Sequence, residues 1–360
     1  MCGIFGYIGN RQAKSVILSG LTKLEYRGYD SAGLSVLFNR EITTQKCIGQ
    51  VSNLYNERDV AGTIGIGHTR WATHGEPSLV NAHPHQSFNG EFSVVHNGVL
   101  ENYIELKNEA EASGYEFVSE TDSEVIPALL QIYYNGNVLD TLIKVVNKLR
   151  GSFAVALIYK YENKIYAFKC GSPLIIGVGG NGKYVASDIY ALADCATSYY
   201  SLNDNEIAVL SDDNLLYNFY GELLQMKFES LIVNDSPYDK KGYEYFMIKE
   251  IMEQPYIIET TVCEFEKRIN LIKDLTFDNI YIVGCGSAYN AGLIGSHFFE
   301  NNCGIKSKCI IASEYIDNCS VVSQNDLIIA ISQSGETADT LASLREAKTR
   351  GAFTMSIVNI

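Results

Sequence analysis

In its second half the chain alternates apolar strand, glycine turn and helix, and that order limits the possible folds more than any other feature. Residues 279–283 read as a buried strand. Gly284-Cys285-Gly286-Ser287-Ala288 is the turn after it, and a helix runs on from about Tyr289. Residues 308–312 and 326–331 are further strands. The second leads into Ser332-Gln333-Ser334-Gly335-Glu336-Thr337 and a helix through Ala347, and 353–358 begins one more strand. Successive strands joined by helices point to a parallel sheet, because parallel neighbours need a crossover connection. Such a sheet binds ligands at the carboxyl ends of its strands.

The first half is patterned differently. Residues 2–8 read as a short buried strand. Ala13, Val16, Ile17, Leu21 and Leu24 then fall on one helical face. Residues 33–38 and 63–69 look like strands. After Gly151, so do 152–159, 164–168, 174–178 and 184–187, which are broken by glycine turns. The residues alone support an α+β domain ending near 225. Thr121 and Glu124 fit a capping box, yet Pro127 lies six residues in, so the spacing predicts a kink or a later helix start. Residues 231–242, with Asn234-Asp235-Ser236-Pro237, read as a linker, and a helix follows through 244–253. The expected organisation is a domain over 1–225, a linker and leading helix over 226–255, and a second domain over 256–360.

Apolar residues make up 46% of the chain and charged ones 19%, as in a soluble globular protein. A net charge of −14 argues against a nucleic-acid or anionic-membrane surface. No apolar run reaches the roughly 18 residues of a membrane helix, and no signal peptide is evident. The nine cysteines are odd in number and form no CxxC pair, which suits a reducing cytoplasm.

Chemistry concentrates near the amino end. The chain opens Met1-Cys2-Gly3. Removal of Met1 would leave a thiol and a free α-amine on one residue. The thiolate is the nucleophile, and an α-amine with a pKa of about 7.7–8.0 can shuttle its proton. Five of the six histidines and the only tryptophan lie between 68 and 96. His68-Thr69-Arg70-Trp71-Ala72-Thr73-His74-Gly75-Glu76-Pro77 is followed by Asn81-Ala82-His83-Pro84-His85 and by Val95-His96-Asn97-Gly98. Metal binding is the rival reading, with His83 and His85 as possible ligands. HExxH spacing and a partner carboxylate or thiolate are missing, so no metal is expected. His68 and His96 are expected to satisfy buried backbone groups.

With Leu24-Glu25-Tyr26-Arg27-Gly28-Tyr29-Asp30-Ser31-Ala32-Gly33 and Ser119-Glu120-Thr121-Asp122, these blocks closely resemble, in order, the glutaminase domain of class II glutamine amidotransferases. The tyrosine-containing block resembles the glutamine–fructose-6-phosphate aminotransferase family rather than the purine-pathway amidotransferases. The resemblance implies an N-terminal-nucleophile (αββα) fold, two antiparallel sheets between helical layers. It implies that Cys2 is the nucleophile and that Asn97 and Gly98 form the oxyanion hole. Arg70 would hold the glutamine α-carboxylate and Asp122 its α-ammonium. Thr73, His74 and Gly75 would cover the glutamine, and Trp71 would gate the ammonia path.

The second half resembles an α/β sugar-isomerase (SIS) domain. Ser332, Gln333, Ser334 and Thr337, with Ser287 in the earlier turn, are carried over as fructose 6-phosphate contacts. Three hydroxyls and backbone N–H groups at a helix start suit a phosphate. Ala288 stands where that family commonly has serine. The implied reaction gives glucosamine 6-phosphate and glutamate, with no cofactor, in a cytoplasmic homodimer. The family carries two SIS domains, whereas this sequence stops within the first, so a truncated gene or fragment is expected. Two other expectations are kept: a glutaminase that releases ammonia, and a non-catalytic sugar-phosphate-binding remnant.

Overall fold

The structure is a computed structural model that describes residues 2–72, 75–231, 242–243, 246–268, 276–318, 321–333, 335 and 337–358. The chain divides into two compact units, 1–238 and 239–360.

The first unit begins with β1 (Gly3–Gly9), α1 (Ala13–Leu24), β2 (Ser31–Phe38), β3 (Glu41–Ile48), α2 (Ser52–Tyr55) and β4 (Ile64–Arg70). It continues through β5 (His85–Gln86), β6 (Phe92–Leu100), α3 (Tyr103–Ala112), α4 (Val125–Tyr133) and α5 (Val138–Val146). It closes with β7 (Gly151–Tyr159), β8 (Ile165–Cys170), β9 (Ile175–Gly179), β10 (Gly182–Ala186), β11 (Ser198–Ser201), β12 (Glu206–Leu210), β13 (Leu215–Asn218), β14 (Leu223–Leu224) and β15 (Glu229–Ser230). One sheet has the order β15-β11-β9-β10-β1-β4-β2-β3, and the other β14-β13-β12-β8-β7-β6-β5. The central pairings of both are antiparallel.

Period-two alternation sorts the side chains into layers. Ile4, Ile66, Val95, Ala154, Ala156 and Ile158 meet between the sheets. Their neighbours Phe5, Tyr7 and Leu34 pack outward on Ile17 and Leu21 of α1. Val94, Phe153, Val155 and Leu157 pack outward on Leu129 and Leu142 of α4 and α5. The result is four layers, helix–sheet–sheet–helix. The strands are apolar on both sides because both faces are covered. Each fully buried large side chain contributes roughly 1.5–3 kcal/mol. At Gly20 of α1, an added Cβ would sit 2.4 Å from the Phe5 ring, so glycine lets the helix lie directly on β1.

The second unit comprises α6 (Phe246–Arg268), β16 (Ile280–Gly284), α7 (Ser287–Phe298), β17 (Ser307–Ile311), α8 (Ala312–Asn318), β18 (Leu327–Ser332), α9 (Ala338–Thr349) and β19 (Phe353–Val358). Its sheet, β17-β16-β18-β19, is wholly parallel. Tyr281, Val283, Ile328 and Ala330 pack on one face with Tyr315 and Ala347. Ile280, Ile282, Leu327 and Ile329 pack on the other. Among the described residues no helix is long and apolar enough to cross a membrane.

Two helix bounds need correction, and the later helix start expected after Thr121 is found, though without the capping box. No capping box forms at Thr121, whose side chain makes no cap bond. The Glu124 carboxylate instead accepts the N–H groups of Val118 and Ser119. A 3-10 turn (Asp122–Glu124) therefore precedes α4, and Pro127 becomes the third residue of α4, where no intrahelical donor is required. The helix expected over 244–253 runs on to Arg268 with Pro255 inside it. One missing backbone bond does not end a helix whose later turns can still propagate. Finally, α7 starts at Ser287, two residues before the expected Tyr289. Most of the expected linker, 232–241, lies outside the described residues.

Candidate active site

The amino-terminal strand delivers Cys2 to the junction of the two sheets. β1 lies between β4 and β10, with Gly3 opposite Thr69 and Ile4 opposite His68. Cys2 therefore emerges beside the end of β4, where Arg70 and Trp71 stand. The Trp71 N–H donates to Cys2 Sγ at 3.3 Å. From the facing sheet, β6 brings Asn97, whose Nδ2 donates to the Cys2 carbonyl at 3.1 Å. Burial pushes the Cys2 thiol pKa up, while the Trp71 N–H and the Arg70 charge act the other way.

Arg70 is buried, and its Nη2 donates to the Gly75 carbonyl at 3.0 Å. Its guanidinium interacts electrostatically with Cys2, Asp122 and Asp30. Asp122 is also buried. Its Oδ2 accepts the Leu100 N–H at 2.9 Å and its Oδ1 the Ser123 hydroxyl at 3.3 Å. Trp71 is half-exposed and stands edge-on to Tyr29 at 6.0 Å. Gly75 has φ +76°. The expected glutamine-covering residues Thr73 and His74 lie outside the described residues.

Gly98 has φ +119°, and a Cβ there would stand 1.9 Å from the Ser152 carbonyl oxygen. Only glycine fits a backbone position so placed. Asn97 Oδ1 lies 3.0 Å from His68 Nε2, which is also 3.0 Å from the His96 carbonyl. His96 Nδ1 contacts Ser123 Oγ at 2.8 Å. His68, His83, His85 and His96 are all buried, and burial lowers each pKa, to about 3 for His68. Sequence reasoning missed Ser123, Ser187 and Asp30. Ser187 Oγ accepts the Ile4 N–H at 2.9 Å, and Asp30 accepts the Ala72 N–H at 2.9 Å. Asp30 and Ser123 sit inside or beside the motif blocks, but their contacts have no signature in sequence spacing.

In the second unit, β16 and β18 are parallel neighbours, so their carboxyl ends coincide. Ser287 starts α7 after β16, Ser332 ends β18, and Thr337 immediately precedes α9 without a side-chain cap bond. The hydroxyls of Ser332 and Thr337 are 3.0 Å apart, and Ser332 Oγ accepts the Gly335 N–H at 3.1 Å. Gln333 is exposed, and Ser334 lies outside the described residues.

Comparison with known proteins agrees with this division. A glutamine amidotransferase domain matches residues 68–194, and an SIS domain matches residues 277–359. Glutamine–fructose-6-phosphate aminotransferase (isomerizing) from Clostridium tetani is 44% identical over 100% of this chain and 62% of its own length. The proteins of that name from Aquifex aeolicus and Staphylococcus aureus are 43% and 40% identical over the same shares. The chain thus spans 62% of the length of these curated relatives. The glutamine phosphoribosylpyrophosphate amidotransferase from B. subtilis, solved with ADP and GMP, has TM-score 0.54 at 20% identity. It covers 99% of this chain and 81% of its own, a likeness of fold alone.

Proposed function

We propose that this chain, homologous along its whole length to the glutamine–fructose-6-phosphate aminotransferases, takes the amide nitrogen of glutamine for transfer to fructose 6-phosphate. The products are glutamate and glucosamine 6-phosphate. The observation that carries the reading is the convergence at Cys2: its carbonyl on the Asn97 amide, its sulfur on the Trp71 N–H, and Arg70 and Asp122 beside it. The glutaminase domain is assigned to 1–225 and the sugar-phosphate part to 256–360. Homodimerisation and a cytoplasmic location belong to the same reading.

The chemistry runs as follows once Met1 is removed. The Cys2 α-amine takes the thiol proton, which answers the burial that disfavours a resting thiolate. The thiolate attacks the side-chain amide carbon, and the oxyanion is held by Asn97 Nδ2 and the Gly98 N–H. Collapse expels ammonia, which takes its proton from the α-ammonium and leaves a Cys2 thioester. Water, deprotonated by the α-amine, cleaves the thioester to glutamate and restores the thiol. Arg70 pairs with the substrate α-carboxylate through parallel hydrogen bonds and Asp122 with its α-ammonium. The ammonia then meets the sugar phosphate at Ser287, Ser332, Gln333, Ser334 and Thr337.

The test is an incubation with glutamine and fructose 6-phosphate, quantifying glutamate and glucosamine 6-phosphate separately. Both products together would establish transfer by this chain, and Cys2→Ala should make neither. Glutamate alone would leave only the amide-hydrolysing half of the reading. Glutamate production that survives Cys2→Ala would remove Cys2 as nucleophile.

A further inference from the structure

We infer that His68 is a positioning residue that locks the Asn97 amide with its donor toward Cys2, an inference that rests on the glutaminase reading. His68 Nε2 is 3.0 Å from the His96 carbonyl oxygen. A carbonyl only accepts, so Nε2 must carry the ring hydrogen. The same nitrogen is 3.0 Å from the Asn97 side chain. A donor there requires the facing atom to accept, which fixes it as Oδ1. Asn97 Nδ2 is then left pointing at the Cys2 carbonyl, 3.1 Å away. Turned over, the amide would set N–H against N–H at His68 and oxygen against oxygen at Cys2.

The ring is itself held in this state. It stacks on His83 with centroids 4.1 Å apart and planes 23° apart. His83 Nδ1 accepts the His96 N–H at 3.2 Å, so His83 must keep that lone pair. Among the described residues His68 Nδ1 has no partner, so it is not placed as a proton acceptor for Cys2. Burial keeps the imidazole neutral throughout the physiological range. His68 is therefore a fixed donor behind the oxyanion hole, two bonds of geometry removed from substrate.

Three variants test this, with glutamate formation measured beside alkylation of Cys2 by iodoacetamide. Alkylation is a displacement that builds no oxyanion, so it reports nucleophile and fold alone. His68→Leu removes the donor and should lower kcat about 100-fold, the order seen when an oxyanion donor is lost. The glutamine KM should change less than about threefold and the alkylation rate should hold. His68→Gln keeps an N–H donor and should recover about tenfold of the loss. In an Asn97→Ala background, His68→Leu should cost nothing further. A His68→Leu kcat within about threefold of wild type overturns the inference. So does a parallel fall in alkylation, or a further loss in the Asn97→Ala background. If His68→Leu fails to fold, His68→Gln decides by its kcat-to-alkylation ratio: an unchanged KM and held alkylation with lowered kcat support positioning, and any other pattern overturns it. Failure of the wild-type chain to form glutamate would instead overturn the parent reading.

Discussion

At the scale of single residues, the proposed reaction separates the group that reacts from the groups that grip. Asp122 illustrates the second kind. Its Oδ2 takes the buried Leu100 N–H, a bond that an amide oxygen can replace, so Asp122→Asn should fold normally. What is lost is the negative charge, both toward Arg70 and toward the substrate ammonium of the proposed reaction. The glutamine KM is expected to rise about 10- to 100-fold with kcat within a few-fold, read by steady-state kinetics; an unchanged KM would remove Asp122 from the grip. Residue types at this scale were legible in the sequence, because Cys2, Arg70, Asn97 and Asp122 lie in dense blocks of chemistry. Orientation was not. The Asn97 amide is set by a ring 29 positions earlier on another strand, and the need for glycine at 98 comes from the Ser152 carbonyl across a strand pairing.

At the scale of elements, the segment around Pro127 shows how a local rule loses to a tertiary one. Thr121 and Glu124 have capping-box spacing, but the Glu124 carboxylate is used by the backbone of Val118 and Ser119. Glu124→Ala should therefore orphan the buried Ser119 N–H and the part-buried Val118 N–H and cost about 2–3 kcal/mol. Pro127→Ala should change stability by less than about 0.5 kcal/mol, since proline is unstrained in a first turn. Urea unfolding of the two variants checks both; equal losses would contradict this account of the helix start. The parallel strands were readable because their apolar runs are punctuated by glycine. The strands β11, β13, β14 and β15, of two to four residues, carry too few residues for a period to register, and α6 runs on past the expected end at 253. In the second unit, Thr337→Val removes the hydroxyl that meets Ser332. Fructose 6-phosphate binding should weaken about tenfold by calorimetry, and equal affinity would take Thr337 out of that site.

For the molecule as a whole, the buried histidines set an acid limit. His68, His83, His85 and His96 have depressed pKa values in the fold because burial penalises their charged forms. The unfolded chain takes up these protons near pH 6.5 and the folded chain does not. Their stabilising contribution is thus complete above about pH 6.5 and is lost as the pH falls toward the folded values. A ring that stays neutral in the fold while it is charged in the unfolded chain adds at most about 1.4 kcal/mol per pH unit to the slope. Urea midpoints should drop steeply between pH 6.5 and 4.5, and the drop should be shallower by one proton in His68→Gln. A flat profile would mean these rings are charged or solvated. The two-unit organisation was legible as a change of pattern along the chain, since an antiparallel sandwich and a parallel crossover sheet require different periodicities.

β1 is paired with β4 from its first residue, Gly3 against Thr69, and with both neighbours from Phe5, which faces Gly67 and Ala186. Its register cannot slip to make room for added residues, because a shift of one would turn Ile4 and Phe5 to the wrong faces. On the proposed reaction, residues left in front of Cys2 would keep this pairing yet mask the α-amine that acts as base, so an amino-terminal affinity tag should leave folding intact and abolish glutamate formation.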